Sequence, residues 1–155
     1  MLKTLWNNTL SPLLRRPARF QVAALCFRKG DRDPEILMIT SRDTGRWILP
    51  KGWLKPGFDA KGSACEEAWE EAGVRSKGAA PRKIGHYRYD KRLKGGVPVV
   101  TEVDVYAIEV DNLDETFPEM SVRTRQWMSP QEAAAAVAEP DLKELLENLP
   151  PDLRT

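Results

Sequence analysis

The chain has 155 residues, 41% of them apolar and 30% charged, with 24 basic side chains against 23 acidic and a net charge of +1. That composition suits one soluble globular domain with its own core. That net charge argues neither for nor against nucleic acid, and no apolar run approaches the roughly 18 residues of a membrane span. Cys26 and Cys65 are too few for a disulfide framework or a metal knuckle, and they fit a reducing, cytoplasmic setting.

Charge is unevenly placed. The first acidic residue is Asp31, and Lys3, Arg15, Arg16, Arg19, Arg28 and Lys29 precede it. Residues 1–19 form a basic arm, expected to pack on the domain or on a second copy, although its lack of acids also loosely resembles an organellar transit peptide. The domain itself is assigned to residues 20–150, with 151–155 as a C-terminal tail. Gln21 to Arg28 (QVAALCFR) has the length of a buried strand, and Glu35 to Ser41 (EILMITS) completes a hairpin around the turn KGDRDP. Arg46 to Leu49 is a short third strand. Lys51 to Lys61, with Gly52, Pro56 and Gly57, is a loop by composition. Ser63, with Glu66 three positions on, is expected to cap a helix that runs to Ala72 and stops at Gly73.

Two longer strands follow, Lys83 to Tyr89 and Pro98 to Val110. In the second, Val103, Val105 and Ala107 share one face while Glu102, Asp104 and Tyr106 share the other. Arg125 to Met128 is a short strand, Ser129 caps a helix from Gln131 to Ala138, and a last helix runs from Asp141 to Leu149. Strands, one early helix, more strands and C-terminal helices make an α+β domain with a mixed sheet.

The early helix carries C-E-E-A-W-E-E-A-G-V. Glu67, Glu70 and Glu71 lie three and four apart and form one patch, while Cys65, Ala68, Trp69 and Ala72 face the other way. Like charges so spaced cost roughly 0.2–0.5 kcal/mol per pair. Two of them sit late in the helix, where the macrodipole disfavours anions. No Lys or Arg within 65–74 relieves them, so a cation from elsewhere is expected. Carboxylate oxygens suit a hard divalent ion such as Mg²⁺. A solvated acidic face is the plainer alternative.

With the preceding W-I-L-P-K-G-W-L-K-P-G, the segment resembles the Nudix hydrolase family. That family's pattern is Gly, five residues, Glu, seven residues, Arg-Glu, aliphatic, any, Glu-Glu, any, Gly, aliphatic. Gly52, Glu67, Ala68, Glu70, Glu71, Gly73 and Val74 fall in register over 23 residues. The Leu-Pro-Lys-Gly lead-in is similar to the branch containing diphosphoinositol polyphosphate and diadenosine polyphosphate hydrolases. Two positions depart from the pattern, with Phe58 at the first glutamate and Glu66 at the arginine. In the family these two residues pair and hold loop to helix. Here Phe58 is expected to substitute an apolar contact, to Trp53 or Trp69.

The resemblance implies an α/β/α sandwich with a mixed sheet, Mg²⁺ or Mn²⁺, and hydrolysis of a pyrophosphate bond in a phosphorylated small molecule. Glu70 and Glu71 would be the main metal ligands, Glu67 a further ligand or the general base, and the Lys51 carbonyl another ligand. Glu119 is the candidate acidic residue outside the motif, with Glu115 and Glu102 as rivals. Arg42, Arg46, Lys51, Lys55, Arg88, Lys91 and Arg92 are the basic residues expected to hold phosphates. His86 is expected to be structural, and Trp53 and Tyr87 could stack on a nucleobase. Nothing in the pattern separates a nucleobase from an inositol ring. Nucleic acid is not an expected partner, a capped or 5′-triphosphate RNA being the exception kept open, and the assembly is a monomer or a homodimer. The substitutions at 58 and 66 also leave a second reading, a Nudix-fold module that binds a phosphorylated ligand without turnover.

Overall fold

The structure, a computed structural model, describes residues 19–92 and 96–154; the N-terminal arm, except Arg19, therefore lies outside the described residues. Among the described residues eight strands form one mixed sheet. They are β1 (Arg19–Arg28), β2 (Glu35–Thr40), β3 (Trp47–Ile48), β4 (Lys51–Trp53), β5 (Val74–Ser76), β6 (Arg82–Arg92), β7 (Pro98–Leu113) and β8 (Arg125–Met128). The central path runs β3-β2-β1-β7-β5, with β4 on β1, β6 on β7 and β8 on β2. β1 and β7 run parallel, from Arg19 opposite Thr101 to Phe27 opposite Glu109. The other pairings are antiparallel.

The central strands are buried on both faces, which is why β1 and β2 read as near-continuous apolar runs. Ala23, Leu25, Val103 and Val105 face α2 (Pro130–Ala136) and α3 (Pro140–Glu147), which supply Ala133, Ala134, Leu142 and Leu146. Val22, Ala24, Cys26, Tyr106 and Ile108 face α1 (Ala60–Ala72), which packs through Ala64, Ala68 and Ala72. The result is an α/β/α sandwich. The alternation expected in β7 holds, but its second face is also covered where Tyr106 and Ile108 meet α1. Beyond Pro150 the turn Pro151–Arg154 drops Leu153 into the core. Tyr87, a candidate for stacking, is in that core at 2% exposure and is unavailable to a ligand.

Three local expectations need correction. The segment read as a loop from Lys51 opens with strand β4, whose Lys51, Gly52 and Trp53 lie opposite Ala23, Val22 and Gln21. Strand β5 continues directly from α1 and pairs with the end of β7. The helix cap is Asp59, not Ser63: the Asp59 carboxylate accepts the Gly62 N–H at 2.8 Å. Ser63 lies one turn inside the helix, fully buried, and its hydroxyl accepts the Lys55 N–H at 3.1 Å. At the other end Gly73 caps the helix as expected. Its φ of 68° favours glycine, and its N–H is shared between the carbonyls of Ala68 and Trp69. Both cysteines are free.

Candidate active site

The site forms where the chain leaves β3, which pairs with β2, and crosses to β4, which pairs with β1. The Ala24 N–H donates to the Pro50 carbonyl at 2.9 Å and fixes that crossing. Lys51 and Gly52 then lie beneath α1. A Cβ on Gly52 would stand 2.3 Å from a carboxylate oxygen of Glu67. Only a bare backbone lets that carboxylate settle on β4, and this is a steric reason for glycine that a turn would not supply.

Glu67 and Glu71 are almost fully buried, at 7% and 3% exposure, while Glu70 is half-buried. The cations expected near them are present, and they come from other elements. Lys55 Nζ stands 2.6 Å from Glu70 and 3.3 Å from Glu67. Arg123, itself buried, donates to Glu71 at 2.7 Å, to Glu119 at 3.1 Å and to the Thr40 carbonyl at 3.0 Å. The Lys51 N–H donates to Glu71 at 3.0 Å. Arg125 donates to the Ala72 carbonyl at 2.8 Å, placing a cation at the C-terminal end of α1 where the macrodipole favours one.

Burial pushes the Glu71 carboxyl up to about 8 against the pull of Arg123, and the neighbouring charge of Glu67 adds to the rise. Burial also raises Glu67, with Lys55 opposing. It lowers Lys51, whose ammonium is 5.2 Å from the Tyr89 ring centre and makes no ion pair among the described residues.

The loop from 114 to 124 docks along α1. The Asp114 N–H donates to the Gly73 carbonyl at 2.8 Å and the Glu119 N–H to the Glu70 carbonyl at 3.0 Å. This carries Glu119 to the site. The rivals stay away: Glu115 is exposed, and Glu102 is held by Arg88 and His86 on β6.

These groups line a cleft of about 760 Å³ with Glu67, Glu71 and Glu119 on its floor. Arg42, Arg46, Lys51 and Lys91 are among its walls, together with Trp53 and Tyr89. Lys55 flanks it through Glu70. Arg88 faces the other side of β6, with Nε and Nη2 both on Oε1 of Glu102, and does not line the cleft. Arg92 closes β6, and its side chain lies outside what the structure describes. His86 faces Glu102 and Asp104, away from the carboxylate floor. Phe58, 48% exposed, lies over Gly62 in the first turn of α1; the ring of Trp69 carries Arg75, and that of Trp53 carries Lys91. The Lys55 N–H on the Ser63 hydroxyl also ties the loop to the helix.

The donor set fits a hard cation. It is all oxygen, and burial of Glu67 and Glu71 raises both carboxyls, so added positive charge there is favoured. In the arrangement described, Lys55 and Arg123 provide that charge, and among the described residues no three metal-binding side chains converge on one point. A bound ion would take over part of what these two side chains do.

The NUDIX domain family model matches residues 19–149. The chain belongs to the Nudix family. Among its curated relatives, the diphosphoinositol polyphosphate phosphohydrolase 3-beta of Bos taurus is 32% identical over 116 residues, 73% of this chain and 65% of that protein. The human 3-alpha protein is 33% identical over 115 residues, with the same coverage. The chain thus spans just under two thirds of the length of these relatives. A C. elegans Ap4A hydrolase binary complex shares the fold with a TM-score of 0.66 at 21% identity, over 84% of this chain and 93% of that one. The NUDIX domain of Shewanella oneidensis NrtR, complexed with ADP ribose, does so with a TM-score of 0.65 at 15% identity, over 95% and 96%.

Within this Nudix chain, the structure brings Glu67, Glu70, Glu71 and Glu119 together with Lys51, Lys55, Arg42, Arg46 and Lys91, and leaves Arg88 out. Arg123, Tyr89 and Gln21 belong to the same site and were not among the sequence candidates. Arg123 stands 52 positions from Glu71. Its only sequence signal is that Glu119 precedes it by four, a spacing that pairs charges in any turn-rich segment.

Proposed function

We propose that the protein hydrolyses a pyrophosphate bond in a phosphorylated small molecule, of diadenosine polyphosphate or diphosphoinositol polyphosphate type, with a divalent cation. Nudix hydrolases generally use divalent ions and act on phosphorylated small molecules. The observation that carries the reading is the pairing of desolvated Glu67 and Glu71 over Gly52 with a wall of cations around the same cleft. Glu70 and Glu71 would hold Mg²⁺ or Mn²⁺, with the Lys51 carbonyl and Glu119 beside them. Bound there, such an ion lowers the pKa of water and offsets phosphoryl charge.

This chain's own residues supply the rest. Lys51, free of ion pairs among the described residues, and Arg42, Arg46 and Lys91 neutralise phosphates and turn the bond toward the carboxylates. Glu67 receives the proton of the attacking water. The water oxygen bonds to phosphorus as the bridging P–O bond breaks, and the leaving phosphate takes the electron pair.

Glu70→Gln and Glu71→Gln are each expected to lower kcat/KM by roughly 100-fold or more with the circular dichroism spectrum unchanged. The assay is Mg²⁺- and Mn²⁺-dependent release from a panel of dinucleoside polyphosphates, inositol pyrophosphates and nucleoside diphosphate sugars. Full Mg²⁺-dependent turnover in both variants overturns the assignment. Binding without release by the wild-type protein replaces it with a ligand-binding module.

A further inference from the structure

Beyond Arg46 and Tyr89 the cleft adjoins a second recess of about 400 Å³, lined by Arg46, Arg88, Tyr89, Asp90, Glu139 and Asp141, with Ala138 and Pro140. Its volume is within the range of ligand pockets. It lies at the free edge of β6, under the junction between α2 and α3. Its lining is more acidic than that of the cleft, with Asp90, Glu139 and Asp141 against Arg46 and Arg88, where acidic and basic side chains balance in the cleft. Arg88 is already held by Glu102, which leaves three carboxylates facing one shared guanidinium. Asp90 and Asp141 are exposed and make no ion pair among the described residues. Glu139 is the built element: its side chain is only 11% exposed, and among the described residues its Oε2 is buried with no hydrogen-bond donor and its nearest cation, Arg46, is 3.8 Å away, beyond hydrogen-bond length.

We propose that this recess binds the non-phosphate end of the substrate, and that the end it accepts is a neutral hydroxylated group such as the ribose of a nucleoside. The inference rests on the pyrophosphatase reading for the orientation of the phosphates in the neighbouring cleft. Carboxylates accept hydrogen bonds and give none, so they select a ligand that donates. A vicinal diol does so, and it would satisfy an acceptor otherwise left buried and unmade. A ring phosphorylated at most of its carbons would place anions against Asp90, Glu139 and Asp141, and like charges there are repelled. Arg46, shared by cleft and recess, marks where phosphate ends and sugar begins. The three acids thus act as a filter against a densely phosphorylated ring.

Calorimetry without divalent cation, so that no turnover follows, tests this with three probes: ADP-ribose, inositol hexakisphosphate and inorganic pyrophosphate. The proteins are wild type, Glu139→Ala and Asp141→Ala; the exposed position of Asp141 keeps the test valid if the Glu139 variant misfolds. ADP-ribose is expected to weaken about 10-fold in each variant, inositol hexakisphosphate to tighten severalfold, and pyrophosphate to stay unchanged. The inference is overturned if ADP-ribose binds both variants as it binds wild type, or if all three probes weaken together. Because binding is read without catalysis, absence of Mg²⁺-dependent turnover would sink the hydrolase reading and leave this result standing.

Discussion

Glu71 has a folded-state pKa of about 8 against an ordinary 4.5, raised chiefly by burial. Between those values the folded chain binds a proton that the unfolded chain has released. Stability contributed by this group is therefore complete below the unfolded value and declines as pH rises through the folded one. Without divalent cation, the wild-type melting temperature is expected to fall by several degrees more between pH 6 and pH 8.5 than that of Glu71→Gln, which has no proton to lose. Parallel melting curves for the two proteins across that range would refute the placement of the proton. Gly52 makes a second prediction at this scale. A methyl group there would meet the Glu67 carboxylate at 2.3 Å. Gly52→Ala should keep the fold and lose at least about 10-fold in kcat/KM, because a small displacement of a reacting group is that costly. A fully active Gly52→Ala protein would show that the Glu67 contact is dispensable.

Helix α1 shows which parts of an element are local. Its span and its stop at Gly73 were readable because both depend on residues next to one another. Its start was placed one turn late, since Asp59 and Ser63 are both good caps and only burial decides between them. With Ser63 fully buried against the Lys55 N–H, Asp59 is left to satisfy the first turn. Asp59→Ala is expected to destabilise by about 1 kcal/mol. Phe58→Ala, at a half-exposed site, should cost less than about 0.5 kcal/mol. Urea denaturation measures both, and a Phe58 loss exceeding that of Asp59 would make the ring the main clasp between loop and helix. Strands β4 and β5 were missed for a different reason. At three residues each they are too short to show alternation, and they exist because β1 and β7 present unpaired edges to them.

At the scale of the whole molecule, the layers were legible because apolar period and run length report burial directly, and the spacing of Gly52 with Glu67, Glu70 and Glu71 reported the site's centre. What closes the site was not legible. Arg123 binds α1 through Glu71, β2 through the Thr40 carbonyl and its own loop through Glu119, three segments that only the folded sheet brings together. Lys55 holds the opposite side through Glu67 and Glu70. These two cations now occupy the electrostatic role that a divalent ion would share, so ion binding must compete with them and with the proton on Glu71. Mg²⁺ at ten times its dissociation constant adds RT ln(1 + [L]/Kd), roughly 1.4 kcal/mol, which is about 3–5 °C for a domain of this size. The shift is expected to be larger at pH 8.5 than at pH 6, because metal binding must release the proton that burial holds on Glu71. Lys55→Met should enlarge it further by removing the competing ammonium, and Glu70→Gln combined with Glu71→Gln should abolish it. Thermal melts of the three proteins at the two pH values measure all of this, and a shift that is independent of pH and unchanged by Lys55→Met would mean that the ion binds somewhere other than this carboxylate floor.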